Sequence, residues 1–177
     1  NIDQIINDLT LEEKVSLLSG FNSWYTNKIE RISIPSIKMS DGPNGVRGDS
    51  NSGKSSACFP CAISIGSSWD LDQVKKIGVA LGEEAQAKNV DVLLGPTINI
   101  HRHPLGGRHF ESFSEDPFLT GKIASNYVQG VQSQNVAACL KHFVGNDTEF
   151  ERHSISSNID ERTLREIYLL PFEMGVK

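Results

Sequence analysis

The apolar positions of the chain change their period several times, and each change marks an element. Thr10 and Glu13 form a capping box ahead of Val15, Leu17 and Leu18, with Gly20 as the stop, so residues 11–19 are predicted as a short amphipathic helix. Residues 34–39 are a β-compatible run closed by Ser40-Asp41-Gly42-Pro43, a polar turn that puts Asp41 just past a strand's C-terminal end. A Gly/Ser-rich loop over 48–56 follows, and residues 71–88 then place Leu71, Val74, Ile77, Leu81 and Ala85 on one helical face. Residues 90–94 are nearly continuously apolar, as in a strand covered on both sides in a parallel sheet, and Gly95-Pro96 ends them. After a long loop, Asp116-Pro117 has the N-cap and first-turn pairing of a helix reaching about Ser133. Residues 136–140 read as the next strand, and Asp160 caps a further helix carrying Leu164, Ile167, Tyr168 and Leu169.

Strand, loop and helix therefore recur in order, which predicts an α/β chain of about four βα units around a parallel sheet. A closed eight-unit barrel takes roughly 250 residues. The expectation is an incomplete TIM-type (β/α) barrel, roughly its first half, with residues 1–177 forming its N-terminal portion. Such barrels carry their chemistry on the loops after strand C-termini, where Asp41, Arg108, Lys141 and His142 all fall.

Composition narrows the partners. The 38% apolar and 22% charged fractions are those of an ordinary globular protein. A net charge of −5 offers no basic footprint for nucleic acid or anionic lipid, and no apolar run approaches the roughly 20 residues that span a bilayer. The chain starts at Asn1, which leaves a removed leader or an excised fragment open. Cys58, Cys61 and Cys139 are an odd number, which leans toward a reducing compartment such as the cytoplasm. Cys58-Phe59-Pro60-Cys61 has the spacing of a redox pair, but the apolar stretch from Ala62 to Gly66 reads as extended, so the two cysteines are expected to be small buried hydrophobes.

Gly48-Asp49-Ser50-Asn51-Ser52-Gly53-Lys54-Ser55 matches the phosphate-loop pattern letter for letter. That chemistry needs a strand before the first glycine and a long helix after the lysine, so that backbone amides converge on phosphate. Asn44-Gly45-Val46-Arg47 is turn-like and Pro60 would break the helix, so the match is read as an accident of a polar linker.

A neutral pyranose presents a ring of hydroxyls that donate and accept, and this chain has the groups to meet them. Asp41 can accept two hydroxyl protons, Arg108 and Lys141 can donate charge-assisted bonds, and His142 can donate from a ring nitrogen. Trp24 and Trp69 are candidate apolar platforms. Each has a plainer reading: Asp41 as an Asx turn, Arg108 as a loop clamp on Glu111 or Asp116, and Glu149, Glu151, Arg152 and His153 as an exposed charged run with a supporting role open to it. His101, His103 and His109 lack companions for a metal set and are read as solvated loop histidines; no metal or cofactor is expected.

In their order and spacing these motifs resemble the N-terminal barrel of the family 3 glycoside hydrolases, in particular the β-glucosidase branch, over nearly the whole chain. The matching features are residues 9–15, Asp41-Gly42-Pro43 with Gly45 and Arg47, Phe59-Pro60, Ser68-Trp69-Asp70, Gly106-Gly107-Arg108 with Phe110-Glu111, Glu115-Asp116-Pro117, and Lys141-His142-Phe143 with Asn146. The resemblance implies that Asp41, Arg108, Lys141 and His142 bind the glycone of a β-glucoside or short β-linked oligosaccharide, with Phe143 packed behind them. It implies a retaining reaction between an attacking aspartate and an acid/base glutamate, both expected beyond Lys177, so that these residues alone are expected to be inactive.

A branch that cleaves N-acetylglucosaminides carries a second histidine after the Lys-His-Phe motif. This chain has Val144-Gly145-Asn146-Asp147 there, which favours the glucosidase or xylosidase side over the β-N-acetylhexosaminidase one. Two other classes stay open: a Schiff-base aldolase using Lys141, and a non-catalytic sugar-binding piece that self-associates or complements another chain through open sheet edges.

Overall fold

The computed structural model describes residues 1–48 and 53–177, so Asp49 to Ser52 of the phosphate-loop look-alike lie outside the described residues. Three short strands, β1 (Met39–Ser40), β2 (Val92–Leu93) and β3 (Ala137–Ala138), pair in parallel in the order β1-β2-β3, Met39 against Val92 and Val92 against Ala137. The pairing of β2 with β3 continues past Pro96 as a parallel bridge of Thr97 to Lys141, where the Ile98 amide donates to the Lys141 carbonyl at 2.7 Å. This extension carries the segment after each strand to the same end of the sheet.

Helices α1 (Ile2–Asp8) and α2 (Leu11–Leu17) precede the sheet, and the Thr10–Glu13 capping box closes in both directions as predicted. Helix α4 (Leu71–Ala87) follows an Asp70 cap, and α5 (Pro117–Gln132) follows Asp116, whose carboxylate accepts from the Leu119 amide at 2.7 Å. Both helices cover the sheet. Val74, Ile77, Leu81 and Ala85 from α4 and Ile123, Ala124, Tyr127 and Val131 from α5 form one core with Leu93, Val136 and Phe113. Beyond Asp160, α6 (Glu161–Thr163) opens into a π turn over Leu164–Tyr168 and closes as α7 (Leu170–Val176). The Leu169 amide reaches five residues back to the Leu164 carbonyl at 2.8 Å, while Pro171 has no amide to give.

The strands are shorter than the apolar runs that announced them, and three paired strands stand where about four units were expected. Neither does the stretch after Cys61 extend. Ala62–Ser68 is α3, with Ala62, Ile65 and Gly66 buried at helical spacing, and the extended reading fails because only that face meets the core. Cys58 and Cys139 are exposed and Cys61 half-buried, so the cysteines are not core residues either. The residues from Gly53 to Cys61 form no helix, and Lys54 donates to the Ala87 carbonyl at the end of α4. Among the described residues no helix is long and apolar enough to cross a membrane, and no group of three or more His, Cys, Asp or Glu side chains could hold a metal ion.

Candidate functional site

Asp41 leaves β1 into a turn in which its carbonyl accepts from the Arg47 amide at 2.9 Å, and Gly42 makes that turn at a φ of 118°, a conformation L side chains rarely adopt. Glu84 on α4 locks the loop from behind, its two carboxylate oxygens accepting from the Val46 and Ala57 amides at 2.7 Å each. The buried ammonium of Lys88 completes the anchor through Glu84, Ser56 and the Val46 carbonyl.

Across the sheet, Lys141 follows β3 and its ammonium lies 3.2 Å from the Asp41 carboxylate, with the lysine side chain largely buried and the aspartate half-open. The Thr97 backbone lies beside Lys141, and the Thr97 hydroxyl donates to Glu111 at 3.2 Å. Glu111 holds Arg108 through its other oxygen, and a second arm of the guanidinium lies 3.6 Å from Glu149. Burial disfavours the Arg108 charge, but the carboxylates of Glu111 and Glu149 more than offset it and raise its pKa. His142 sits within the same field. Burial first, and then Arg108 and Lys141, push its pKa below the ordinary imidazole value against the opposing pull of Glu111 and Glu149.

Asp41, Arg108, Lys141 and His142, from three segments far apart in the chain, are thus joined by one network at the C-terminal end of the sheet. The loop-clamp and sugar-site readings of Arg108 are compatible, because Glu111 occupies one side of the guanidinium and a side-chain exposure of 28% remains. Glu149 is not simply part of a solvated run; it is half-buried against Arg108.

Phe143, expected behind the site, is 73% exposed and makes an edge-on contact with Phe172. Its aromatic contact is therefore with α7 rather than the buried core. Trp24 stacks under Arg47 at 5.8 Å, whereas Trp69 is an exposed residue at the C-terminus of α3. His101 is half-buried against His109, with its pKa lowered by burial and then by that neighbour, so it is not a freely solvated histidine.

Three participants were not singled out from sequence. Asn99 is buried and accepts from His142 twice, at 3.2 Å from the backbone amide and 2.9 Å from ring Nδ1. The polar-apolar alternation Thr97-Ile98-Asn99-Ile100 after a strand was the available signal. Asp147 and Tyr168 form the second group. The Tyr168 hydroxyl donates to Asp147 at 2.6 Å and accepts from Arg102 at 2.5 Å, beside a cleft of about 530 Å³. Burial and then the Asp147 carboxylate push the Tyr168 hydroxyl up to about 12.

Fold and site together define an α/β domain that gathers acceptors and cationic donors at the C-terminal end of a parallel sheet. Residues 1–177 match the family model described as the glycosyl hydrolase family 3 N terminal domain, and the chain belongs to that family. A beta-glucosidase of Rhizobium radiobacter is 57% identical over 99% of this chain and 22% of its own length, and the thermostable beta-glucosidase B of Acetivibrio thermocellus is 50% identical over 100% and 24%. Among solved structures, the beta-glucosidase of Kluyveromyces marxianus in complex with glucose superposes with a TM-score of 0.95 at 48% identity, over 99% of this chain and 21% of that one. Beta-glucosidase 3B of Thermotoga neapolitana in complex with glucose gives 0.91 at 41% identity, over 99% and 27%. The chain therefore spans between a fifth and about a quarter of these relatives' lengths.

Proposed function

We propose that residues 1–177 are the glycone-binding part of a retaining β-glucosidase, folded as the opening portion of a (β/α) barrel. Asp41 accepts from two hydroxyls of a terminal β-D-glucosyl residue, Lys141 and Arg108 donate to its hydroxyl oxygens, and His142 supplies a further contact. The observation that carries this reading is the Lys141–Asp41 pair at 3.2 Å at the strand ends, in which the Asp41 carboxylate stays half-open and the Lys141 side chain keeps a small exposure. A sugar that enters there exchanges water for charge-assisted bonds on a preformed frame.

In this reading, the aspartate that attacks the anomeric carbon and the glutamate that protonates the leaving oxygen come from outside these residues, with their carboxyl groups about 5 to 5.5 Å apart in the assembled site. The aldolase alternative loses support. A Schiff-base lysine is activated by apolar desolvation or a neighbouring cation, and Lys141 is paired with a carboxylate instead.

Turnover of an aryl β-glucoside by the full-length protein tests the assignment. Lys141→Ala and Arg108→Ala are each expected to lower kcat/KM by about 100-fold or more, the loss of one to two charged hydrogen bonds. Folded variants with wild-type turnover would remove these residues from the pocket.

A further inference from the structure

Asn99 is buried, and its side-chain Oδ1 faces two nitrogens of His142, the backbone amide at 3.2 Å and ring Nδ1 at 2.9 Å. A backbone N–H can only donate, so the amide atom facing it must be the oxygen. That same oxygen can only accept, so Nδ1 must carry hydrogen. A neutral imidazole has one N–H, and Nε2 is therefore left with its lone pair.

Whether the ring stays neutral is decided by its surroundings. Arg108 from the loop after β2 and Lys141 from the end of β3 oppose a second proton, Glu111 and Glu149 favour one, and the Asp41 carboxylate is engaged on Lys141. Phe143 and Phe172, at the other side of the turn, bring no charge. With the desolvation of a half-buried ring added, the balance lies on the neutral side.

We infer that Asn99 is a positioning residue that sets His142 to meet the sugar as a hydrogen-bond acceptor through Nε2, so that the site selects a glycone hydroxyl able to donate there. This rests on the glycone-binding reading and specifies it. Lys141 and Arg108 supply donors only, Asp41 accepts only, and His142 becomes a second, uncharged acceptor. Protonation would turn Nε2 into a donor, and the hydroxyl facing it would have to turn its own proton to another partner. Asn99 touches the ring and not the substrate, so its effect passes through the protonation and aim of His142.

Two measurements on the full-length protein test this. Neutron diffraction from crystals at neutral pD is expected to show deuterium on Nδ1 of His142, facing Asn99, and none on Nε2. Deuterium on Nε2, alone or on both nitrogens, would overturn the inference. Asn99→Asp keeps both acceptor contacts but adds a negative charge beside the ring, which favours the imidazolium. The acid limb of kcat/KM, which reports the free enzyme, should move up by about one pH unit or more, so that activity is lost at a higher pH as the solution is acidified. Asn99→Leu should lower kcat/KM about tenfold without that upward movement. An Asn99→Asp enzyme with wild-type thermal stability and an unmoved acid limb would also overturn it. If Asn99→Asp does not fold, proton placement in the wild type decides alone. Absence of glucoside turnover in the wild type would count against the proposed function, while the deuterium positions would still decide the role of Asn99.

Discussion

Glu111 holds the site together from below. It is 8% exposed, takes the Thr97 hydroxyl on one oxygen and the Arg108 guanidinium on the other, and so ties the loop after β2 to the strand end that carries Lys141. Removing one partner of such a pair leaves a charge without compensation. Arg108 keeps some solvent and the more distant Glu149, so the expected cost is well below that of a fully buried pair. Glu111→Ala should lower unfolding stability by about 2 kcal/mol in urea titrations. It should also lower kcat/KM for an aryl β-glucoside, whereas Glu111→Gln, whose one amide oxygen can still accept from Arg108 while its NH2 donates to the Thr97 hydroxyl, should recover part of the stability. An unchanged urea midpoint for Glu111→Ala would show that the clamp contributes nothing. At this scale the sequence pointed to Asp41, Arg108, Lys141 and His142 because each stands beside a strand end or a glycine turn. It was silent on Asn99 and placed Glu149 in an exposed charged run with only a supporting role open to it, because their roles depend on neighbours 43 and about 41 positions away along the chain.

The elements follow the same logic of local versus distant cause. Where a cap or a heptad-like face sits within a dozen residues, as at Thr10–Glu13, Asp116-Pro117 and residues 71–88, the helix was legible. Helix α3 was missed because Ala62-Ile63-Ser64-Ile65-Gly66 is an apolar run too brief to show a period, and burial on Ala62, Ile65 and Gly66 alone decides for the helix. The close crossing of α4 and α5 was also hidden. A Cβ on Gly78 would stand 2.5 Å from the Tyr127 carbonyl and 3.1 Å from the Gly130 Cα, so each glycine is required by the other helix's backbone. Gly78→Ala and Gly130→Ala should each destabilise by about 2 to 3 kcal/mol. Once the helices have parted for one methyl, the second should cost less, so the double variant should fall short of the sum in thermal unfolding. Additive losses would mean that the two glycines do not share one contact.

At the scale of the whole molecule, residues 1–177 leave much apolar surface open. Leu11, Val15 and Leu18 form a stripe along and just beyond α2 at i, i+4 and i+7, all more than half exposed, and Ile2, Ile5 and Ile6 on α1 are exposed as well. Strand β3 has no outer strand beside it among the described residues, whereas the Met39 amide of β1 donates outward to the Trp24 carbonyl at 2.7 Å beside the Tyr25–Lys38 bridge, and parallel sheets seldom persist with a bare edge. The proposed opening portion of a barrel would have both features covered by neighbouring chain, and the relatives are four to five times as long. Residues 1–177 produced alone should therefore associate, with sedimentation showing species above the monomer at micromolar concentration. The two causes can be separated. Val15→Lys with Leu18→Lys places charge on the helical stripe and leaves the sheet untouched, so a return to monomer assigns association to the stripe. Persistent association points instead to the β3 edge or to Ile2, Ile5 and Ile6 of α1, which both substitutions leave in place. A wild-type segment that stays monomeric throughout would mean that neither surface needs a cover, and the proposal that these residues are the opening portion of a barrel would lose its physical basis.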